Sequence, residues 1–208
     1  QGLGIAEASY QNAVAFTKDR LQGRSLSGTK YPDKPADPII VHPDVRRTLM
    51  TMRAYTEGMR ALSAWVAEGL DIAEKSPDPA ERQEADDLVA LLTPIVKAFM
   101  TDQGFELANH CVQLHGGHGF IKDYGVEQYV RDSRITLLYE GTNGIQALDL
   151  VGRKMGQNMG RLLRRFFHPV SRFIEENQED MALAPYVMPL AKAFGRLQRA
   201  TAHLAQQG

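Results

Sequence analysis

Two short stretches of the sequence combine glycines and polar side chains in a way that could serve chemistry. They read QLHGGHGF at residues 113–120 and LYEGTNGIQ at residues 138–146. A run of glycines ends a helix, permits positive φ and lets backbone approach a ligand closely. A carboxylate just before a helix, such as Glu140, is often only a partner of the helix dipole, but it can also act as a general base. The residues alone leave both interpretations open in each stretch.

A metal site is the other chemistry that this part of the sequence brings to mind. His110, His115 and His118 lie within nine residues of one another. No acidic partner is fixed nearby and glycines separate the rings, which argues against a zinc site. We therefore expect no metal here.

The elements that must position these stretches are predicted to be helices. Apolar residues recur at spacings of three and four, which indicates helices with one buried face. The first such helix is predicted to end near Gly23, and residues 25–41, with three prolines, are predicted to form a long connection. No segment alternates with period two. The sequence thus predicts an all-α fold, an antiparallel helical bundle.

Composition excludes several classes of protein. The 208 residues are 43% hydrophobic and 24% charged, which is typical of a globular protein. A net charge of −1 argues against a nucleic-acid partner, and no apolar run is long enough to insert into a membrane. Cys111 is the only cysteine, which favours a reducing, cytoplasmic location. The chain opens without Met inside an apolar-periodic pattern, so we expect a piece of a longer protein.

The order of the two stretches carries a resemblance. The pattern Gln-x-x-Gly-Gly-x-Gly-Phe is followed by the pair Arg131-Asp132 and then by Tyr-Glu-Gly-Thr. This combination resembles the acyl-CoA dehydrogenase family. The resemblance implies the C-terminal helical bundle of that family over residues 1–155, and a helical C-terminal extension over residues 156–208, as in larger bacterial-type members. The N-terminal and middle domains of the family would be missing.

The resemblance also implies an activity. The family oxidises an acyl-CoA thioester to a trans-2-enoyl-CoA, and Glu140 would be the base that removes the α-proton. The backbone N–H of Glu140 would help to hold the thioester oxygen. Tyr139 would form a wall of the acyl pocket, and Gly141 would leave room for the thioester.

The cofactor implied by the resemblance is FAD. Thr142 would contact the flavin. The adenosine diphosphate part of a flavin bound mainly by a neighbouring subunit would meet a second group of residues, namely Arg20, Gln22, Gln113, Gly116 and Gly117. The active enzyme would then be a homodimer or a homotetramer.

Three functions remain open from the sequence. The first is a dehydrogenase that passes electrons to an electron-transfer flavoprotein. The second is an acyl-CoA oxidase, which shares the fold and the base but returns electrons to oxygen. The third is an oligomerisation bundle that is inert in isolation.

Overall fold

A computed structural model describes residues 1–207, and within that range every regular element is helical. An isolated antiparallel bridge joins Leu21 to Pro38, and no β-strand is present in the described part of the chain. The all-α fold predicted from the sequence is confirmed. The α-helices are α1 Gly2–Asp19, α2 Pro43–Lys75, α3 Pro79–His115, α4 Gly117–Phe120, α5 Glu127–Arg134, α6 Asn143–Asp149, α7 Gln157–Asn177 and α8 Ala184–Gln207.

The chain divides into two compact units. The first consists of Gln1–Ala64 and Val96–Asn143, and the second of Trp65–Ile95 and the described residues from Gly144 onward. The sequence-based boundary near residue 155, between the helical bundle and its C-terminal extension, stays a prediction.

The first unit is held together by a core of small and flexible apolar side chains from α1, α2 and α3. Gly2 of α1 and Gly104 of α3 allow the two helices to touch, because a Cβ on Gly104 would lie only 2.7 Å from the carbonyl oxygen of Gly2. Close packing of this kind makes the core sensitive to added volume. The buried cluster comprises Ala6, Ala13, Leu49, Met52, Met59, Met100, Leu107, Cys111, Leu114 and Val126.

The second unit contains the two terminal helices, α7 and α8, which the sequence analysis anticipated. Phe167 of α7 packs edge-on against Phe194 of α8, with ring centroids 5.3 Å apart. Arg161 donates two hydrogen bonds of 2.7 and 2.8 Å to the buried carboxylate of Asp87. A charge removed from water needs such a partner, so this pair fixes α7 against the first turns of α3.

The connection between α1 and α2 departs from the sequence-based expectation at its start. Helix α1 ends at Asp19, before the predicted end near Gly23, and Arg20 is already extended. The reason is local pairing, because the N–H of Ile39 donates to the carbonyl of Arg20 and the N–H of Gln22 donates to that of Asp37. The described residues contain no helix long and apolar enough to cross a membrane.

Candidate functional site

A cavity of about 750 Å³ lies in the first unit beside the end of α3, and we call it the glycine-run cavity. It is bounded by the end of α1, the connection that follows, the start of α2 and the turn after α3. Five of the residues that the sequence analysis assigned to cofactor binding line it together: Arg20, Gln22, Gln113, Gly116 and Gly117. The structure thus brings these five residues to one cavity, and their role in binding a cofactor stays a prediction.

Backbone forms one wall of the glycine-run cavity. Gly116 has φ 59° and ψ −140°, a conformation that side-chain-bearing residues almost never adopt. Apart from the adjoining residues and the backbone of the same helix, no atom lies within 4 Å of the position that a Cβ would take on Gly116 or Gly117. The two glycines therefore present bare backbone to an open space, which is suited to a ligand that comes close to the chain.

The opposite edge of the cavity is carried by the segment that holds Arg20 and Gln22. The ring of His42 donates from Nε2 to the carbonyl of Gln22 over 2.8 Å. The N–H of Asp37 donates to the carbonyl of Gly23 over 2.9 Å. These bonds join the first residues of the connection to its last ones, so the segment is fixed although it is not helical.

A buried carboxylate organises the rest of this connection. Asp37 is fully buried and accepts hydrogen bonds from the N–H groups of Ser25 (2.9 Å), Lys30 (3.1 Å) and Tyr31 (2.8 Å). The guanidinium of Arg24 lies 3.4 Å from the same carboxylate. Burial raises the pKa of Asp37, but the three backbone donors and Arg24 outweigh burial and lower it to about 2.

The rings of Phe16, His115 and His118 also line the glycine-run cavity. His115 is buried and stacks on Phe16 with ring centroids 4.1 Å apart, and His118 packs edge-on to Tyr124 at 4.9 Å. Nδ1 of His115 donates to the carbonyl of Cys111 over 2.8 Å. Burial lowers the pKa of His115, and that hydrogen bond opposes the shift only in part. A neutral ring is therefore favoured.

The predicted base lies in a different part of the first unit. Residues 138–142, which we call the glutamate segment, follow a short 3₁₀ turn at Ile135–Leu137 and precede α6. The carboxylate-bearing Glu140 is exposed and has φ 55°, and Gly141 has φ 80°. The left-handed conformation costs a non-glycine residue about 1–2 kcal/mol, so the surroundings must hold it in place.

Hydrogen bonds fix the glutamate segment on both sides. Before it, the N–H of Tyr139 donates to the carbonyl of Ile135 over 3.1 Å, and the Tyr139 hydroxyl donates to the side chain of Gln1. After it, the side chain of Asn143 bonds to α3, where Nδ2 donates to Asp102 over 2.8 Å and Oδ1 accepts from Lys97 over 2.7 Å. The strained residue is thus held between two anchors.

Glu140, Tyr139, Gly141 and Thr142 are not among the residues that line the glycine-run cavity. The structure therefore brings the predicted site residues together in two groups. Among residues 1–207, no three His, Cys, Asp or Glu side chains are grouped so that they could hold a metal ion.

Three further residues of the site were not identified from the sequence. Asp37, His42 and Asn143 act through backbone or side-chain partners that lie far along the chain, between 6 and 46 residues away. Asp37 stands between two prolines in a loop, where an acidic residue is usually solvated. Only Asn143 had a usable signal, because an asparagine at a helix start often makes a specific hydrogen bond.

Comparisons with known proteins agree with this fold and these motifs. The family model described as acyl-CoA dehydrogenase, C-terminal domain, matches residues 1–155. The 3-methylmercaptopropionyl-CoA dehydrogenase of Ruegeria pomeroyi is 49% identical over 166 residues, which cover 80% of this chain and 28% of that protein. The broad-specificity linear acyl-CoA dehydrogenase FadE5 of Mycobacterium tuberculosis is 35% identical over 207 residues, which cover 98% of this chain and 34% of that protein.

A solved structure extends the agreement over the whole chain. Caenorhabditis elegans ACDH-11 in complex with C11-CoA matches with a TM-score of 0.81 and 20% identity, covering 100% of this chain and 32% of that one. At this identity the match concerns the fold alone. The chain spans about a third of the length of these proteins, 28% and 34% for the two curated relatives. On the family match and the two curated relatives, this chain belongs to the acyl-CoA dehydrogenase family.

Proposed function

We propose that this chain is the C-terminal part of a flavin-dependent acyl-CoA dehydrogenase in which Glu140 removes the α-proton of an acyl-CoA. The observation that carries the proposal is the left-handed backbone of Glu140, a non-glycine residue with φ 55°. Strain of this kind persists where the surrounding structure enforces it, and it concentrates at functional sites. An exposed glutamate that served only a helix dipole would gain nothing from it.

The chemistry needs a base, an acceptor for hydride and a means of stabilising the enolate-like charge. The α-proton passes to the Glu140 carboxylate, and the electron pair of the α-C–H bond forms the new double bond as hydride leaves the β-carbon. Bound flavin supplies the hydride acceptor. The backbone N–H of Glu140 would donate to the thioester oxygen, where negative charge develops. Tyr139 would line the acyl pocket, and Gly141 would leave the thioester unobstructed.

The glycine-run cavity fits the adenosine diphosphate part of FAD. Arg20 supplies a fork of donors suited to a pyrophosphate, while Gln22 and Gln113 supply amide groups. The bare backbone at Gly116 and Gly117 allows close approach of a phosphate or sugar. The carboxylate of Asp44 also lines the cavity and would repel the phosphates. The pyrophosphate would therefore lie beside Arg20.

Thr142 is proposed to contact the flavin ring system from the glutamate segment. We propose that the cavity and the glutamate segment serve two flavins, one bound mainly by a neighbouring subunit, in a homodimer or homotetramer. An electron-transfer flavoprotein is proposed as the acceptor that reoxidises the flavin.

The test is anaerobic flavin bleaching by a panel of acyl-CoAs in the complete enzyme. We expect Glu140→Gln to bind flavin normally but to bleach at least 1,000-fold more slowly, on the order of the contribution of a positioned base. The matched control is Glu106→Gln, which alters an exposed glutamate of α3 and should bleach at the normal rate. Near-normal bleaching in Glu140→Gln would contradict the proposal.

A further inference from the structure

Asn143 is placed where it could control the position of the predicted base. It is the first residue of α6, and only Gly141 and Thr142 separate it from Glu140. Three consecutive trans peptides span at most about 11 Å, so a shift of Asn143 must be absorbed by two residues or passed on to Glu140. Those two residues lie outside any regular element.

The environment of Asn143 suits an amide, which accepts at one end and donates at the other. Its Oδ1 accepts from the ammonium of Lys97 over 2.7 Å, and its Nδ2 donates to the carboxylate of Asp102 over 2.8 Å and to the hydroxyl of Thr101 over 3.0 Å. An ammonium can only donate and a carboxylate can only accept, so the two neighbours fix which way the amide points. A carboxylate at this position could not donate to Asp102, and an aliphatic group could satisfy neither neighbour.

The amide also bridges from the start of α6 to α3, a helix of 37 residues. Lys97, Thr101 and Asp102 all lie on α3, at spacings that bring them to neighbouring faces of consecutive turns. The hydroxyl of Thr101 donates in turn to the carbonyl of Lys97 over 2.8 Å. The side chain of Asn143 therefore ties the end of the glutamate segment to α3.

We propose that Asn143 is a positioning residue that holds the Glu140 carboxylate and its backbone N–H in the orientation needed for α-proton removal. This inference rests on the proposed role of Glu140. The positioning role can be tested by exchange, because the amide at position 143 donates to the carboxylate at position 102 and the two groups can be swapped.

The experiment compares four forms of the complete enzyme: wild type, Asn143→Asp, Asp102→Asn and the double variant. Asn143→Asp sets two carboxylates against each other, and we expect kcat to fall about 10- to 100-fold with flavin content unchanged. Asp102→Asn keeps an acceptor for the amide and should retain kcat within about twofold. In the double variant the amide introduced at position 102 can donate to the carboxylate introduced at position 143, so we expect most of the lost kcat to return.

A second readout separates positioning from a purely structural role. With an α-deuterated acyl-CoA, a misplaced base makes proton removal more rate-limiting, so the kinetic isotope effect on kcat should rise in Asn143→Asp and return towards the wild-type value in the double variant. A loss of thermal stability with unchanged kcat and isotope effect would overturn the inference, and so would a double variant no more active than Asn143→Asp.

Glu140→Gln, measured alongside, separates the positioning role of Asn143 from the proposed role of Glu140 as the base. If Glu140→Gln is inactive while Asn143→Asp matches wild type, the positioning role is wrong and the proposed function stands. If Glu140→Gln turns over at a near-normal rate, the base assignment is wrong and the positioning role falls with it.

Discussion

The glycine-run cavity and the glutamate segment belong to the same compact unit, yet they are held in different ways. The cavity is walled by parts of the chain that are distant in sequence, from Phe16 to Ile121, and its non-helical edge is held by several backbone pairings. The glutamate segment is only five residues long, and the bonds that fix it include turn bonds to Ile135, a side-chain bond from Tyr139 and the amide of Asn143.

This difference indicates which substitutions should disrupt each region. The cavity should tolerate the loss of most single side chains, because its shape rests on backbone and on many partners. The fold around the cavity should be disrupted by a side chain added where two backbone segments are in contact, because there is no room for it. The glutamate segment carries backbone strain and should respond to changes that release it.

The largest effect is expected at Gly119, two residues after the last glycine that lines the glycine-run cavity. A Cβ there would lie 2.6 Å from the carbonyl oxygen of Val112 and 2.8 Å from Cβ of His115. We expect Gly119→Ala to lower the free energy of unfolding by about 3 kcal/mol, because the added methyl group would force packed backbone apart. Urea unfolding of the protein measures the change.

The matched control is Gly117→Ala, two residues away, where no atom lies within 4 Å of the new methyl group. Its stability should change by less than about 0.5 kcal/mol. Flavin affinity should nevertheless fall, if backbone at Gly117 meets the cofactor. Equal losses of stability at the two glycines would show that the turn is looser than the structure indicates.

The sequence was sufficient for the helices and for the grouping of the cavity residues, but not for the interactions that hold them. Periodicity predicted an all-α fold, because one buried face of a helix leaves a repeat that can be counted. The resemblance placed Arg20 and Gln113 at a common cofactor, and the structure brings both to one cavity. Their roles at that cofactor remain to be tested.

Asp37 and Asn143 could not be predicted in the same way. An aspartate that collects the N–H groups of Ser25, Lys30 and Tyr31 depends on how a long loop folds back on itself. An asparagine that bridges to Lys97 and Asp102 depends on how two helices meet. Neither arrangement produces a periodic pattern in the sequence. The early end of α1 likewise depends on pairing between residues that are far apart along the chain.

An intermediate effect is expected from acidification of Asp37. Its pKa is lowered to about 2 in the folded chain, against about 3.9 in an unfolded one. The stabilisation is therefore present above about pH 4 and is lost as the pH falls towards 2. Hydrogen exchange of the N–H groups of Ser25, Lys30 and Tyr31, corrected for intrinsic rates, should accelerate over that range.

At neutral pH, Asp37→Ala should reproduce the acid effect, because it leaves the same three donors without their acceptor. Flavin affinity should fall as well, because the loop that the Asp37 carboxylate organises is paired through its backbone with the segment that carries Gln22. Asp33→Ala changes an exposed aspartate of the same loop and serves as the control. Comparable exchange in both variants would mean that the loop does not depend on the buried carboxylate.

The smallest effect, and the most direct test of strain in the glutamate segment, is expected from Glu140→Gly. Glycine adopts φ 55° without the steric penalty that a Cβ brings, so Glu140→Gly should be about 1 kcal/mol more stable than Glu140→Ala, which loses the same side-chain interactions but keeps the Cβ. In the interior of α3, Glu106→Gly should be about 1 kcal/mol less stable than Glu106→Ala, because glycine is unfavourable in a helix. Thermal unfolding of each glycine variant beside its alanine counterpart gives opposite signs if the backbone at position 140 is strained. A glycine variant less stable than its alanine counterpart at both positions would mean that position 140 is not strained in solution, and the main support for the catalytic role of Glu140 would be gone.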